Sequence, residues 1–293
     1  MPELPEVETI ARGLASRVTG DVIETVWLGS KPEPLKSPAS EIVATLESKR
    51  IARVHRVGKH IVFDLENGGR ASSPVLTKSR QKSKKARAGT PAPTLNEAQW
   101  IVHLGMTGRM LVCKPDQPIE KHTHAVARLA SGRELRFVDP RRFGRLSVAH
   151  GFDAAGSEPL EVDLDRFIDL FRQRKTPIKS ALLNQKLLRG VGNIYADESL
   201  FRAGIRPRRR AAFLTRKELP ALYASIQEVL KEAIALGGSS VSDYVDADGE
   251  EGFFQLQHRV YGRGGEPCLV CKTPIKRVVI AGRSSHYCPK CQK

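Results

Sequence analysis

Apolar positions recur at helical spacing from the first residues of the chain. Leu4, Val7, Ile10, Ala11, Leu14 and Val18 share one face of a 3.6-residue repeat, Pro5 suits a first turn, and Gly20 marks a stop. The spacing predicts an amphipathic helix over residues 4 to 18. After it come seven short β-rich runs, at 22–28, 51–57, 61–65, 100–104, 110–113, 125–129 and 134–138. Turn pairs such as Asn67-Gly68 and Ser131-Gly132 separate them. One helix and seven strands predict a β-sandwich or flattened barrel over residues 1–150.

From Leu164 the period is helical again. Phe167, Leu170 and Phe171 open one helix; Ile178, Leu182, Leu183 and Leu187 follow, then runs at 194–200 and 222–236. A Gly- and Ser-rich segment, 237–265, leads into a terminal cysteine module. The fold class read from this order is α+β: a β-sandwich with a leading helix, a helical domain over 151–262, and a small module over 263–293. The segment 68–94 breaks the pattern with seven basic residues, no acid, and much Ser, Pro and Gly. It reads as an inserted loop, either an arm that grazes a polyanion or a merely solvated excursion.

Length and composition narrow the classes. The 293 residues are 40% hydrophobic, enough for more than one core and against global disorder. No apolar run approaches the roughly 20 residues of a membrane span, and the acidic N-terminus is unlike a signal peptide. A soluble intracellular protein is expected. The net charge of +16 and pI of about 9.9 point to a polyanionic partner, nucleic acid ahead of an anionic membrane surface.

Cys113 stands alone in an apolar stretch and reads as a small buried hydrophobe. Cys268, Cys271, Cys288 and Cys291 form two C-x-x-C pairs separated by 16 residues. Each pair can pinch a metal from a tight knuckle, and 274–287 can form the hairpin that closes a four-thiolate site. Disulfides compete, but nothing suggests export. One structural zinc ion is expected, with no open position for chemistry. Lys272, Lys276, Arg277, Arg283 and Lys290 surround the hairpin and suit it to a phosphate backbone.

The chain begins Met1-Pro2-Glu3-Leu4-Pro5-Glu6. Initiator Met is ordinarily removed before a small residue such as Pro, which leaves the Pro2 secondary amine as the terminus. A terminal amine has a pKa near about 8 against about 10.4 for Lys, so more of it is free base at neutral pH. It lies at the positive end of a helix, which disfavours a further positive charge. A secondary amine attacking a sugar C1′ gives an iminium that has no N–H to lose and persists as an electron sink. Glu3 and Glu6 lie within one turn, in reach for proton transfer. Taken alone, the same acids are good capping chemistry for a helix start.

"MPELPEVET", "HLGMTG", "DPRRFG", "GVGNIYADE" and the four-cysteine ribbon occur in this order in one chain. Together they resemble bacterial formamidopyrimidine-DNA glycosylase, of the Fpg/Nei family, over nearly the whole chain apart from the insert. The resemblance implies a β-sandwich, a helix-two-turn-helix domain and a zinc-finger hairpin, acting as a monomer on damaged double-stranded DNA in the bacterial cytoplasm, at the nucleoid. It implies removal of oxidised purines through a Schiff base on Pro2, then β- and δ-elimination, with Glu3 as the catalytic acid and Glu6 as a supporting carboxylate. Lys59 matches a catalytic family lysine near the lesion and its phosphate; without the resemblance it reads as an exposed strand-end lysine. His103 and Met106 of "HLGMTG", and Arg141 and Phe143 of "DPRRFG", match the DNA-binding loops, where Met and Arg fill the gap left by a flipped nucleotide and Phe wedges the stack. Asn193 follows a Gly-x-Gly turn that lets backbone amides approach a phosphate. Arg283 matches the zinc-finger arginine, and 239–257 matches a lesion-capping loop.

Two other readings stay open. Endonuclease VIII shares the fold and the nucleophile but removes oxidised pyrimidines; Leu4 and "DPRRFG" resemble the purine branch more closely. A non-catalytic zinc-ribbon lesion sensor would keep the charge and the ribbon but leave the terminal amine and its two glutamates without a use.

Overall fold

The computed structural model describes residues 1–68, 98–240 and 252–293. The basic insert, apart from Gly68, lies outside the described residues, as do 241–251 of the capping loop. In chain order the first elements are α1 (Leu4–Val18), β1 (Ile23–Leu28), α2 (Ala39–Leu46), β2 (Lys49–Val57), β3 (His60–Asn67) and β4 (Ala98–His103). Next come β5 (Arg109–Cys113), β6 (Thr123–Leu129), β7 (Glu134–Val138) and β8 (Arg145–His150). They build two antiparallel four-stranded sheets, ordered β1-β6-β7-β5 and β2-β3-β4-β8. Ile61, Phe63, Trp100 and Leu146 of one sheet share a core with Ile23, Ala125, Leu135 and Phe137 of the other. This is the β-sandwich expected from the alternating runs.

Two elements were not legible in the sequence. Helix α2 is only eight residues long and buries one pair four apart, Ile42 and Leu46, too short a stretch for a helical period to show. Strand β8 fully buries only Leu146, because it is the edge of its sheet and one side faces solvent. Cys113, read as a buried hydrophobe, ends β5 only half-buried.

The helical part comprises α3 (Leu164–Phe171), α4 (Ile178–Leu182), α5 (Asn193–Arg202) and α6 (Glu218–Ala235). Leu187, expected on the second of these helices, lies beyond its end yet remains buried. The chain closes on a hairpin, β9 (Lys276–Ile280) with β10 (Arg283–Tyr287).

Helix α1 joins the two main units. It packs on β2 and β3 on one side and on α6 on the other. Val7, Ile10 and Leu14 belong to the sandwich core, whereas Leu4 belongs to the helical core with Val191, Tyr195 and Leu230. The first turn of the chain is therefore held in the seam between the units. Leu4 N–H donates to Gly190 O at 3.0 Å and pins that turn to the approach to α5.

Candidate active site

Pro2, Glu3 and Glu6 line a cavity of about 460 Å³ in this seam. Lys59 enters it from the β2–β3 turn, Met106 from the β4–β5 loop, Asn193 from the start of α5 and Arg283 from the start of β10. Seven of the residues singled out in the sequence thus converge from five segments. His103, Arg141 and Phe143 do not line the cavity.

Glu3 is buried, and its carboxylate lies at the N-terminus of α5. Ile194 N–H donates to it at 3.2 Å and Tyr195 N–H at 3.5 Å. The sequence reading gave amides of this turn to a DNA phosphate; in the structure those of Ile194 and Tyr195 face a protein carboxylate. A Cβ on Gly192 would collide with that carboxyl, and one on Gly190, whose φ is +91°, would strike Leu4. Both glycines make room for the N-terminal turn.

Glu6 is equally buried. Its carboxylate accepts from Glu3 N–H at 2.7 Å, from Ser239 N–H at 2.8 Å and from the Tyr195 hydroxyl. Burial pushes the Glu6 carboxyl up to about 7, with the Glu3 charge adding to the rise and the Tyr195 and Ser239 donors opposing it. Burial also raises Glu3, against the charge of Lys59 and the α5 amides. Burial lowers Lys59, while Glu3 and Glu6 hold its proton on. The Met1 amine is lowered by burial, with Glu3 and Glu6 opposing and Lys59 and Arg141 assisting. Burial thus moves both carboxyls up and both amines down, the directions that acid–base chemistry uses.

The turn bearing Lys59 is fixed from the helical unit. Glu158 accepts from Gly58 N–H at 2.8 Å, from Arg56 through both terminal nitrogens at 2.9 and 2.8 Å, and from Arg189 Nε at 2.9 Å. Glu158, Tyr195 and Ser239 act on the site, yet the sequence reading assigned no role to Glu158 or Tyr195 and placed Ser239 only at the start of a loop. In sequence, Tyr195 is one more buried aromatic on a helix face and Glu158 one more loop acid.

His103 sits at the end of β4 with its ring 5.0 Å from that of His60. Burial takes it down to about 4, helped by the charges of His60, Lys59 and Arg145. Its Nδ1 accepts from Gly105 N–H at 3.1 Å, which leaves the ring proton on Nε2 and makes it a neutral donor. Met106 is 41% and Phe143 48% exposed, large apolar side chains held out from their loops. The Arg141 guanidinium stacks 4.8 Å from the centre of the Phe143 ring.

The four C-terminal sulfurs all lie within 4.8 Å of one another, with Cys268 and Cys291 3.9 Å apart and Cys271 and Cys288 3.4 Å apart. Thiolates around a tetrahedral zinc at about 2.3 Å are spaced about 3.8 Å apart, so the cluster fits one structural zinc ion. The hairpin is docked through a buried contact. Lys179, fully buried, donates to Ser284 O at 2.7 Å and pairs with Asp197 at 2.7 Å, and Asp197 accepts from His286 N–H at 2.9 Å. This fixes β10, and with it Arg283 at the cavity edge.

The family model described as Formamidopyrimidine-DNA glycosylase N-terminal domain matches residues 1–146. Its H2TH domain matches 155–245, and a zinc finger found in FPG and IleRS matches 265–293. A formamidopyrimidine-DNA glycosylase from Solibacter usitatus is 44% identical, with 100% of both chains covered. The chain belongs to the formamidopyrimidine-DNA glycosylase family. Another such glycosylase, from Desulforamulus reducens, is 40% identical over 100% of this chain and 99% of its own. Among solved structures, a Lactococcus lactis FPG mutant in complex with a Fapy-dG containing DNA superposes with a TM-score of 0.84 at 31% identity, covering 100% of both chains. MutM (FPG) from Thermus thermophilus gives 0.80 at 39% identity, with 99% of this chain and 98% of its own covered.

Proposed function

We propose that the protein is a bifunctional DNA glycosylase and AP lyase that excises oxidised purines, 8-oxoguanine and formamidopyrimidines, in base excision repair. The observation that carries this reading is the convergence of Pro2, Glu3, Glu6 and Lys59 on one cavity edged by Asn193 and Arg283. Once Met1 is removed, the Pro2 nitrogen is a free secondary amine. Its lone pair attacks C1′ of the flipped nucleotide and the bond from C1′ to the base breaks, the base leaving with the electron pair and taking up the proton that the Pro2 nitrogen gives up. Glu3 supplies the proton that opens the sugar ring. The resulting iminium acidifies the C2′ proton; removal of that proton expels the 3′ phosphate with its bonding pair, and removal of the C4′ proton then expels the 5′ phosphate, cutting the strand on both sides.

In this reading Lys59 holds charge beside the two carboxylates and faces the lesion phosphate. Asn193, Arg283 and His103 bind the backbone, and Met106, Arg141 and Phe143 fill and wedge the stack that the flipped base leaves. The domains are 1–150, 151–262 with the capping loop about 239–257, and 263–293. The protein acts as a monomer, in the bacterial cytoplasm at the nucleoid; among the described residues no helix is long and apolar enough to cross a membrane.

The test is borohydride trapping on a duplex with one 8-oxoguanine opposite cytosine, using zinc-loaded protein shown by mass to have lost Met1. A covalent band that vanishes when an extra residue precedes Pro2 supports the amine mechanism. No band on this duplex or on an abasic-site control sinks the enzyme reading and leaves a lesion sensor. A band with abasic DNA but none with 8-oxoguanine keeps the lyase and moves the specificity elsewhere, to the endonuclease VIII branch where thymine-glycol DNA also traps. That last arm has a specific motive: a Lactococcus lactis Fpg has been solved with an oxidised pyrimidine containing DNA.

A further inference from the structure

Met106 and the pair Arg141 and Phe143 stand on two loops more than thirty residues apart in sequence, and one buried carboxylate ties the loops together. Asp139 is 0% exposed. Its Oδ1 accepts from the Thr107 hydroxyl at 2.6 Å and from Arg141 N–H at 3.2 Å, and its Oδ2 accepts from Gly144 N–H at 2.7 Å. Its own backbone is anchored to the start of β6: Asp139 N–H donates to His122 O at 3.0 Å, and its carbonyl accepts from His124 Nε2 at 2.9 Å. The loops also meet backbone to backbone, since a Cβ on Gly105 would collide with Phe143 C and Gly144 N.

A buried carboxylate held by neutral donors is costly to keep unless each lone pair is used. Here the donors come from both loops, so the charge acts as a joint. We infer that Asp139 is a positioning residue that presents Met106, Arg141 and Phe143 as one rigid unit, so that gap filling and wedging occur together. The inference rests on the glycosylase reading above. Asp139 is buried beneath the loops and touches no DNA; it acts by fixing the separation of groups that do. Hydrogen bonds to a charged acceptor are the stronger kind, which makes the Thr107 hydroxyl the one side-chain link between the loops worth cutting.

The experiment uses full-length, zinc-loaded protein and three variants: Thr107→Val, Thr107→Ser and Asp139→Asn. Single-turnover excision from an 8-oxoguanine duplex is compared with borohydride trapping on single-stranded abasic DNA, which has no stack to fill. A 2-aminopurine beside the lesion reports unstacking. Thr107→Val should lower the ratio of duplex excision to single-strand trapping by about tenfold and shrink the 2-aminopurine signal, and Thr107→Ser should restore both. Asp139→Asn, which turns an acceptor into a donor facing a donor, should lower the ratio at least as far; if it does not fold, the Thr107 pair still decides. A Thr107→Val ratio within about twofold of the parent, or Thr107→Ser as impaired as Thr107→Val, would overturn the proposal. Failure of the glycosylase reading looks different, because the parent protein itself would then neither excise nor trap.

Discussion

The Glu3 carboxylate caps a helix 191 residues away in sequence, accepting from Ile194 N–H at 3.2 Å. The positive end of α5 thereby holds a catalytic candidate in place and favours its charged form, against a burial that favours the neutral one. Gly192 is what allows the approach. Its backbone is extended, φ −128°, so any residue could adopt it; only the space is missing. Gly192→Ala should therefore leave folding and zinc content intact while displacing Glu3, with a loss of single-turnover excision of about a hundredfold. Activity near the parent level would show that Glu3 need not sit on that helix.

Glu6 carries a pH signature. Its carboxyl is raised from 4.5 to about 7 in the folded protein. Between those values the unfolded chain gives up its proton while the folded one keeps it, so this group makes stability fall as the pH rises through the window. Glu3, raised by burial, acts with the same sign. Glu6→Gln removes its own share, so denaturant midpoints measured across that window should fall less steeply with pH than those of the parent. Equal slopes would place the raised carboxyl elsewhere.

Glu158 balances two arginines at the seam. Its side chain is 6% exposed and that of Arg56 7%, and Arg189 shares the same carboxylate. Glu158→Gln keeps the shape but removes the carboxylate the two arginines share, leaving Arg56 with Glu8 and Arg189 with Asp153, which should cost about 2 kcal/mol of stability in chemical denaturation. The amide nitrogen then faces an Arg56 nitrogen, donor against donor, beside the Lys59 turn, so excision should fall even at temperatures where the variant is fully folded.

Zinc removal should separate binding from the main fold. The ribbon core is little more than Val260, Cys268, Ile275 and Cys288, and an isolated two-stranded hairpin is marginal without its metal. A strong chelator should release one zinc per chain and abolish binding to lesion duplex in a gel shift, while most of the helical far-UV signal persists. Undiminished binding by metal-free protein would remove the hairpin and Arg283 from the DNA contact.

Some of this molecule is legible from the chain alone because its determinants are local. The apolar period over residues 4 to 18 returns as α1, Leu4–Val18, and the C-x-x-C pairs return as a cluster of sulfurs with metal spacing. Each depends on residues a few positions apart, where helical or knuckle geometry leaves little choice. The capping reading of the first acids returns too, since Glu6 accepts from Glu3 N–H. What a periodic stripe does not specify is the surface it will meet. Leu4 and Val7, three residues apart on one helix, went to different cores, and that division put the N-terminal turn in the seam. The partners of Glu3, Glu6 and Asp139 were likewise decided by which turns the packing brought together: Ile194, Ser239 and Thr107 supply hydrogen-bond donors, as residues in almost any turn can. A donor has no sequence code for its acceptor. The choice belongs to the tertiary structure, because burial makes each unmatched polar group costly and only the packed fold decides which groups are buried together.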